Sequence, residues 1–483
     1  MEALTWAGPT GTFLGPIGLI LVIAFAVAVV AMLVLSVVAA PEAVRTGRDL
    51  AARPSGAFGL SEAAVRWTGL ALLGYVVVWL IAGIVLPYGQ AGIIGAVIKR
   101  FLPVWIALAL TFGLSLAFKR RLGLYGKLFD STIGMIGFGL VMFWVFTAAF
   151  AGLFDWVATH QPLTAVSGLK NEVPGVPMPQ AEVVGPGAHY LFGGDNLARD
   201  VFSRMVYGSV IVIVIAPFAT IFAFMVGITL GLPAGYYGGR LDMFLSFLAN
   251  LILAFPVILL FYLLVTPEMV QTGLPSYMAM ALFIFPLIFA AVFINSRWHT
   301  QPKVRTPILI VVLAVLGIVY LSAISQRGTP LNFLPGWLDL FNIPGGILVV
   351  FVSVVFVNSP TVFRIVRGLA MDIKTRDYVA AAQTRGEGPW YIMLWEILPN
   401  ARGPLIVDFC LRVGYTTILL GTLGFFGLGL PPESPDWGST INLGRRLLSI
   451  YPHPAIVPAV ALLSLVLGLN LLADGLREES LKD

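Results

Sequence analysis

Catalytic and metal chemistry depends on a few residue types held at particular spacings, and this chain is poor in them. It has one cysteine, Cys410, within an apolar run, and four histidines at His160, His189, His299 and His453. No two histidines have the spacing of a metal site, and one cysteine cannot build a disulfide framework. We therefore expect no metal site and no catalytic residue, which argues against an enzyme.

The polar chemistry of the chain is concentrated in a stretch at 377–404, which lies between two apolar runs at 346–363 and 405–430. Charged side chains in such number are costly in the hydrocarbon layer of a membrane. We therefore expect this stretch to be a loop at a membrane surface.

The loop carries signals for two short helices. Asp377 can cap a first helix over Tyr378–Arg385, and Gly386 can close it at a positive φ. A second helix can run over Pro389–Ile397, before Leu398-Pro399 ends it. Three consecutive alanines leave the first helix nearly bare, so another protein can approach its backbone closely.

The composition places these elements in a polytopic membrane protein. Of 483 residues, 58% are hydrophobic and 11% are charged, against roughly 25% charged in soluble domains, and the mean hydropathy is +0.93. Apolar windows of about 17–25 residues predict eleven spans. They are 14–39, 68–88, 101–118, 132–154, 208–231, 243–265, 277–294, 306–325, 346–363, 403–428 and 454–473.

The basic loops predict the orientation. Most of the 29 Lys and Arg residues fall on the cytoplasmic side if the N-terminus lies outside and the C-terminus inside. The net charge of +5 therefore bears on topology and gives no indication of nucleic-acid binding. The run at 14–39 lacks the basic residues that precede a cleaved signal peptide, so we expect it to remain as an anchor.

The polar loop also carries a sequence motif. Ala380-Ala-Ala-x3-Gly386, followed by Leu398-Pro399, resembles the EAA loop of ABC importer membrane subunits, Glu-Ala-Ala-x3-Gly-x9-Ile-x-Leu-Pro. Ala380 replaces the glutamate of that motif and Glu396 replaces the isoleucine. In that family the loop forms a coupling helix that docks into a groove on a cytoplasmic ATPase, with Ala381 and Ala382 here expected on the docking face. The resemblance implies ATPase contact through Tyr378, Ala380, Ala381, Ala382, Thr384, Arg385 and Gly386.

Further motifs are similar to the C-type permease subunit of dipeptide, oligopeptide and nickel importers. They are Phe425–Pro432, Ser434–Gly438, Ala234–Gly239 and Phe192–Arg204, the last resembling Leu-Gly-Thr-Asp-x2-Gly-Arg-Asp-x2-Ser-Arg. Four residues of that motif are expected to cap and pair locally, pinning an external loop to the next span, or alternatively to contact a substrate-delivering protein. They are Asp195, Asn196, Arg199 and Asp200.

Two features inside the predicted spans concern helix packing. Gly227, Gly231 and Gly235 lie four residues apart, which predicts the close approach of a second helix. Asp408 and Arg412 also lie four apart, and each costs on the order of 2.5–3.5 kcal/mol near the bilayer centre unless it is paired or faces a cavity. They form either a local pair at a subunit interface or part of a translocation path.

The resemblance implies an all-α polytopic membrane protein with the transmembrane fold of type I ABC importers, a six-span core with about five additional helices. The parts are an accessory region at 1–128 with three spans, a first core part at 129–265 with an external loop at 155–207, an inserted two-helix segment at 266–345, and a second core part at 346–483 with a coupling loop at 367–402.

The function implied by the resemblance is that of a permease subunit in the bacterial cytoplasmic (inner) membrane. The chain has no Gly-x4-Gly-Lys-Ser/Thr motif, so ATP and Mg²⁺ would be bound by partner ATPase subunits and no cofactor by this chain. The other implied partners are a B-type permease, an extracytoplasmic solute-binding protein and membrane lipid, without nucleic acid. An ion-coupled secondary transporter is the alternative, and the solute stays open among peptides, nickel chelates and opines.

Reporter fusions test the predicted topology. Fusions after Gly8 and near Pro177 should read as external, and those near Arg53, Lys127 and Arg385 as cytoplasmic, because the basic loops stay inside. A cytoplasmic reading at the first position together with an external reading at Arg53 would refute the three-span leader.

Overall fold

The computed structural model describes residues 2–46, 57–179, 186–325, 345–428 and 433–480. Arg53 and the Pro431-Pro432 end of one motif lie outside these residues. The regular elements of the described residues are helices, apart from a two-residue antiparallel ladder in which β1 (Val176–Pro177) pairs with β2 (His189–Tyr190), and an isolated bridge between Gly194 and Asp200. The protein thus has the predicted all-α polytopic membrane fold.

Six α-helices precede the first long extramembrane segment. They are α1 (Gly11–Thr46), α2 (Ala57–Val85), α3 (Gly92–Arg100), α4 (Leu102–Ala117), α5 (Gly123–Lys127) and α6 (Thr132–Phe154). Short 3₁₀ turns occupy Lys119–Arg121, Leu128–Asp130 and Pro186–Ala188. Helix α6 begins where Ser131 Oγ accepts the amide of Gly134 at 3.2 Å, and it ends at Asp155 with a φ of 56°.

Fourteen further α-helices follow in the described part of the chain. The first seven are α7 (Val201–Tyr237), α8 (Gly239–Leu253), α9 (Val257–Val265), α10 (Pro267–Gln271), α11 (Leu274–Leu282), α12 (Ile284–Arg297) and α13 (Pro302–Ile324). The others are α14 (Gly345–Ile373), α15 (Asp377–Thr384), α16 (Pro389–Tyr391), α17 (Leu398–Asn400), α18 (Arg402–Phe425), α19 (Trp437–Arg445) and α20 (His453–Ser480). A π-helical turn, Ile392–Ile397, joins α16 to α17.

Nine helical segments of the described residues are long and apolar enough to cross a membrane. Two further pairs, α3 with α4 and α8 with α9, pass the same test together but are bent by 60° and 78°. Counting each bent pair as one span gives eleven, and each span predicted from the sequence overlaps one of these segments or pairs.

One compact unit combines Met1–Trp105 with Trp156–Ser203. Its N-terminal residues are tied to both segments: Leu4 N donates to Gly175 O at 2.9 Å, and Ile93 N donates to Thr5 O at 3.0 Å. Arg100 Nε donates to Val157 O at 3.0 Å. The predicted boundary at residue 128 therefore does not coincide with this unit, and the accessory role of 1–128 stays a prediction.

His189 lies inside the same unit and joins its two segments. Nδ1 lies 3.1 Å from the hydroxyl of Tyr88, and Nε2 lies 3.2 Å from the carbonyl oxygen of Glu2. Burial lowers the pKa of His189 below its usual value, so the neutral ring accepts from Tyr88 and donates to Glu2.

The second unit combines Ile106–Asp155 with Arg204–Asp483. In it α6 crosses α20 so closely that a Cβ added at Gly475 would lie 2.4 Å from the Cα of Gly134. Glycines at this crossing allow the two backbones to touch, which is how membrane helices pack without a hydrophobic driving force.

The predicted glycine strip of α7 faces α14. A Cβ at Gly227 would meet the side chain of Val362 at 2.5 Å, and one at Gly235 would lie 2.6 Å from the carbonyl oxygen of Arg367. A Cβ at Gly231 would lie 3.0 Å from the carbonyl oxygen of Phe363. The prediction that a second helix approaches these glycines is confirmed, and the contact fixes the distance between α7 and α14.

Replacing Gly235 with alanine should therefore destabilise the protein by about 1–3 kcal/mol, because the added methyl group overlaps the backbone of α14. The matched control is Gly368→Ala on α14, since nothing lies within 4 Å of a Cβ there. Thermal unfolding of the detergent-purified variants measures the difference. Equal melting temperatures for the two variants would contradict the packing described.

Candidate coupling loop and intramembrane groove

The first helix of the polar loop is α15. Its N-cap is Arg376, in extended conformation, and Asp377 is the first helical residue, so the prediction that Asp377 caps the helix is wrong by one position. An acidic residue in the first turn still interacts favourably with the helix dipole. The helix is closed at Gly386, whose φ is 77° and whose amide donates to Gln383 O at 2.9 Å. Only glycine takes this conformation without strain.

The two faces of α15 differ. Val379 and Ala382, three residues apart, are fully buried at 0% exposure. Ala381 is exposed, so the expectation that both alanines lie on the docking face is wrong for Ala382. The other predicted contact residues are also exposed: Tyr378, Ala380, Thr384, Arg385 and Gly386.

The second half of the loop is one continuous helical segment. It passes from α16 through the π-helical turn into α17 without a break, so the prediction that Leu398-Pro399 ends the helix is wrong. Pro399 has no N–H to donate, and it lies two residues after the π-helical turn, where the hydrogen bonding already departs from the α-helical pattern.

An apolar cluster lies beneath the loop and joins it to three spans. Its buried members from the loop are Val379, Ala382, Ile392, Met393, Leu394, Ile397 and Ala401. Its members from the spans are Phe224, Leu232, Val362, Val366, Ala370, Ile373 and Leu405, which belong to α7, α14 and α18. We call this set the loop core.

Polar contacts reinforce the loop core at the end of α7. Gln383 Nε2 of α15 donates to the hydroxyl of Tyr236 at 3.2 Å, and Lys374 Nζ donates to Gly235 O at 2.8 Å. Tyr236 was not predicted from the sequence as a site residue. Tyr236 belongs to the Ala234–Gly239 motif, which indicated the family but did not indicate which residue the tyrosine contacts.

An ion pair closes the exposed side of the loop. Arg385 lies 2.9 Å from Glu396, the residue that stands where the family motif has isoleucine. The two side chains are 57% and 22% exposed, and such pairs typically contribute about 0.2–1 kcal/mol. The pair therefore orients Arg385 more than it stabilises the fold.

Asp408 and Arg412 meet on α18. Arg412 Nε donates to Asp408 Oδ2 at 2.6 Å, and its Nη1 donates to the hydroxyl of Thr361 on α14. Arg412 and Thr361 line a groove of about 320 Å³ whose other polar members include Asn358 and Thr416. Among these, Asn358 Nδ2 donates to Thr416 Oγ1 at 3.2 Å. The pair thus binds α14 to α18 and also borders a cavity between spans.

The external motif folds as a set of local caps. Asp195 accepts the amides of Leu197 and Arg199 and pairs with the Arg199 guanidinium at 2.7 Å. Asp200 caps α7 through Ser203 N at 3.2 Å. Asn196 takes no part, since its buried Oδ1 lacks a hydrogen-bond partner among the described residues.

Asp200 also ties the motif to residues before it. Its Oδ2 accepts from Thr159 Oγ1 at 2.7 Å and lies 3.2 Å from His160 Nδ1, while the carboxylate itself is fully buried. A buried carboxylate needs donors of this kind to replace the water that it has lost. These contacts give the motif a structural role at the start of α7.

The Ser434–Gly438 motif packs on the same end of α7. Trp437, which is 1% exposed, donates from Nε1 to Met205 O at 2.8 Å, and Arg204 Nη2 donates to Ser434 O at 2.8 Å. Burial raises the pKa of Asp436, whose Oδ1 accepts the amide of Ser439. Arg204 and Trp437 were missed as site residues, although both belong to motifs that the sequence displays.

The fold and the loop together define a class of protein: a polytopic membrane protein that presents a small, exposed helix on a rigid core attached to its spans. Within the described ranges, no group of three His, Cys, Asp or Glu side chains is placed to hold a metal ion.

Comparison with known proteins identifies the family. Residues 304–478, which include the whole loop, match the family of binding-protein-dependent transport system inner membrane components. This part of the chain is therefore a domain of that family, and the resemblance found in the motifs is confirmed.

Named relatives cover a larger part of the chain. The glutathione transport system permease protein GsiD of Pectobacterium atrosepticum is 29% identical over 294 residues, 61% of this chain and 73% of that protein. The dipeptide transport system permease protein DppC of Alkalihalophilus pseudofirmus is 27% identical over 300 residues, 62% of this chain and 74% of that protein. The GsiD protein of an Escherichia coli O6:K15:H31 strain is 29% identical over 294 residues, 61% and 72% of the two chains.

Gly386 provides a test of the loop geometry. Gly386→Val should strain the backbone by about 1–3 kcal/mol, because φ is positive there. No atom lies within 4 Å of a Cβ at this position, so the cost comes from the backbone conformation and not from a steric clash. Gly388→Val is the matched control, since Gly388 has a φ of −67° and equally open surroundings. Limited proteolysis of the membrane-embedded protein should cleave the loop faster in the first variant alone. Equal rates in both would contradict the left-handed turn.

Proposed function

We propose that this chain is one permease subunit of an ATP-driven importer, and that it translocates peptides or a similar small solute delivered by a solute-binding protein. The observation that carries the proposal is α15, a helix with an exposed alanine face on one side and a fully buried attachment to the spans on the other. The relatives named for glutathione and dipeptide transport support a peptide-like solute.

The loop core supplies a rigid connection for this task. An ATPase subunit that binds ATP and Mg²⁺ docks on Tyr378, Ala380 and Ala381, and its closure displaces α15. Because Val379 and Ala382 are buried in one apolar cluster with residues of α7 and α14, the displacement moves these spans instead of bending the loop. Close-packed interiors transmit displacement in this way, since they have few voids to absorb it.

The same helix reaches the groove. Ile373 of α14 lies in the loop core and Thr361 of α14 lies in the groove, about 18 Å apart along the helix at 1.5 Å per residue. In the proposed mechanism, movement of α14 relative to α18 alters the groove beside Arg412. A B-type permease covers the open side of this groove, and the two subunits together enclose the path of the solute.

The remaining partners follow the same scheme. The chain lies in the bacterial cytoplasmic membrane with its N-terminus outside, and the external motif around Asp195 and Asp200 lies on the side from which the solute-binding protein delivers. ATP hydrolysis takes place in the ATPase subunits, without a catalytic residue of this chain.

An ion-coupled secondary transporter is the weaker proposal. Such a transporter uses intramembrane carboxylates to bind its coupling ion. Asp408 is engaged by Arg412 at 2.6 Å, so its charge is already compensated. The three relatives described above are all named as transport system permeases, and none of these names points to ion coupling.

Ala381→Trp tests ATPase docking on α15. The indole ring should keep the ATPase from the alanine face, so uptake of radiolabelled glutathione or dialanine and solute-stimulated ATP hydrolysis should both fall at least tenfold. Ala381→Ser is the control and should remain within about twofold, because it adds one atom to an exposed position. Both variants should insert in the membrane at normal levels. Undiminished uptake by the tryptophan variant would refute α15 as the coupling helix.

A further inference from the structure

One side chain in the second half of the coupling loop, Trp395, makes three contacts with helix α12. The indole Nε1 donates to Ser296 Oγ at 3.1 Å. The ring centroid lies 5.0 Å from that of Phe293, and the guanidinium carbon of Arg297 lies 4.9 Å above the ring. One turn of α12 therefore supplies a hydrogen bond, an aromatic contact and a cation–π contact to the same tryptophan.

Further contacts extend this junction along α12. The ring of His299, just beyond the helix, lies 5.9 Å from that of Tyr391 in α16. Phe289 and Val292 pack against the loop core. Ser296 is only 4% exposed, so the hydrogen bond to Trp395 is sheltered from water.

These contacts hold the part of the loop that is most able to deform. Trp395 lies in the π-helical turn, the part of the loop whose hydrogen bonding departs from the α-helical pattern. π-Helical turns are rare and are found mostly as single turns at functional sites. A force applied at α15 must pass through this turn to reach α18 along the chain, so the turn is the place where the loop could deform.

We propose that α12 is a brace for the coupling loop and that Trp395 is the positioning residue through which it acts. The proposal rests on the proposed function, because it assigns α12 the task of keeping the π-helical turn rigid while a docked ATPase moves α15. Helix α12 ends at Arg297, before the family match begins at residue 304. The match to the family therefore assigns no role to this helix.

The brace is tested in the complete transport complex, purified through this chain and reconstituted in lipid. Trp395→Phe replaces the indole by a smaller aromatic ring without an N–H, and Ser296→Ala removes the acceptor. Each should increase hydrogen–deuterium exchange of residues 392–397 about fivefold, which is the effect of one lost hydrogen bond. The double variant should show no further increase, because both changes delete the same bond. Trp298→Phe is the matched control, since its indole N–H donates no hydrogen bond to the loop.

A second readout separates positioning from mere stability. Trp395→Ala should raise the ATP hydrolysed per glutathione or dialanine taken up by at least threefold, measured well below the melting temperature of both complexes, while the basal hydrolysis rate changes little. If the exchange of residues 392–397 is unchanged in Trp395→Phe and Ser296→Ala, the brace is refuted, whatever the fate of Trp395→Ala.

The outcome also distinguishes this proposal from the proposed function. Normal coupling in Trp395→Ala together with lost uptake in Ala381→Trp would overturn the brace alone. Normal uptake in both variants would overturn the coupling helix and the brace together.

Discussion

The burial of one short helix against three spans is the constraint on which the rest of this structure depends. α15 is only eight residues long, and helices of that length are not stable alone in water. Its stability comes from Val379 and Ala382, which are removed from solvent in the loop core. Full burial of a valine side chain contributes about 1.5–3 kcal/mol, enough to hold a helix whose outer face is almost bare.

The loop core in turn requires α7 and α14 to lie close together. The glycines of α7 allow this, since a Cβ at Gly231 would lie 3.0 Å from the backbone oxygen of Phe363. At the last glycine of the strip, Gly235 O accepts a hydrogen bond from Lys374 Nζ, and the hydroxyl of the neighbouring Tyr236 accepts one from Gln383 Nε2. Helix contact inside the membrane and placement of the loop outside it are therefore consequences of one short stretch of α7.

Local features were predictable because their causes are local. Hydropathy located the spans, the charges of 377–404 located the loop, and the need for a positive φ identified Gly386. The inner face of α15 was assigned wrongly for Ala382. Eight residues with three alanines differ too little in hydrophobicity to show which side of the helix faces the core. The cap and the end of the loop helices were misplaced because capping residues and proline are permitted at several neighbouring positions.

The contacts that define the site were beyond sequence reasoning because their partners are far apart along the chain. Gln383 meets Tyr236 across 147 residues, Trp395 meets Ser296 across 99, and Trp437 meets Met205 across 232. Each residue stands in an ordinary context, and only the packing of the spans determines which of many possible partners it finds. Pairs such as Asp408 and Arg412, four residues apart on one helix, could be foreseen for the opposite reason.

Arg412 shows why that intramembrane pair also bears on movement. A lone arginine within the apolar layer is costly, and Asp408 compensates its charge from the same helix, so the pair itself leaves α18 free to move as a rigid body. The bond to Thr361 is different, because it crosses to α14. Any shift of α14 relative to α18 must therefore exchange that hydrogen bond for another donor–acceptor contact in the groove. The hydroxyl of Thr361 is a neutral acceptor that water can replace, whereas Asp408 stays within reach of Arg412 because both lie on α18. The groove thus combines an ion pair within one helix with one contact that crosses to α14, the helix that also contributes to the loop core.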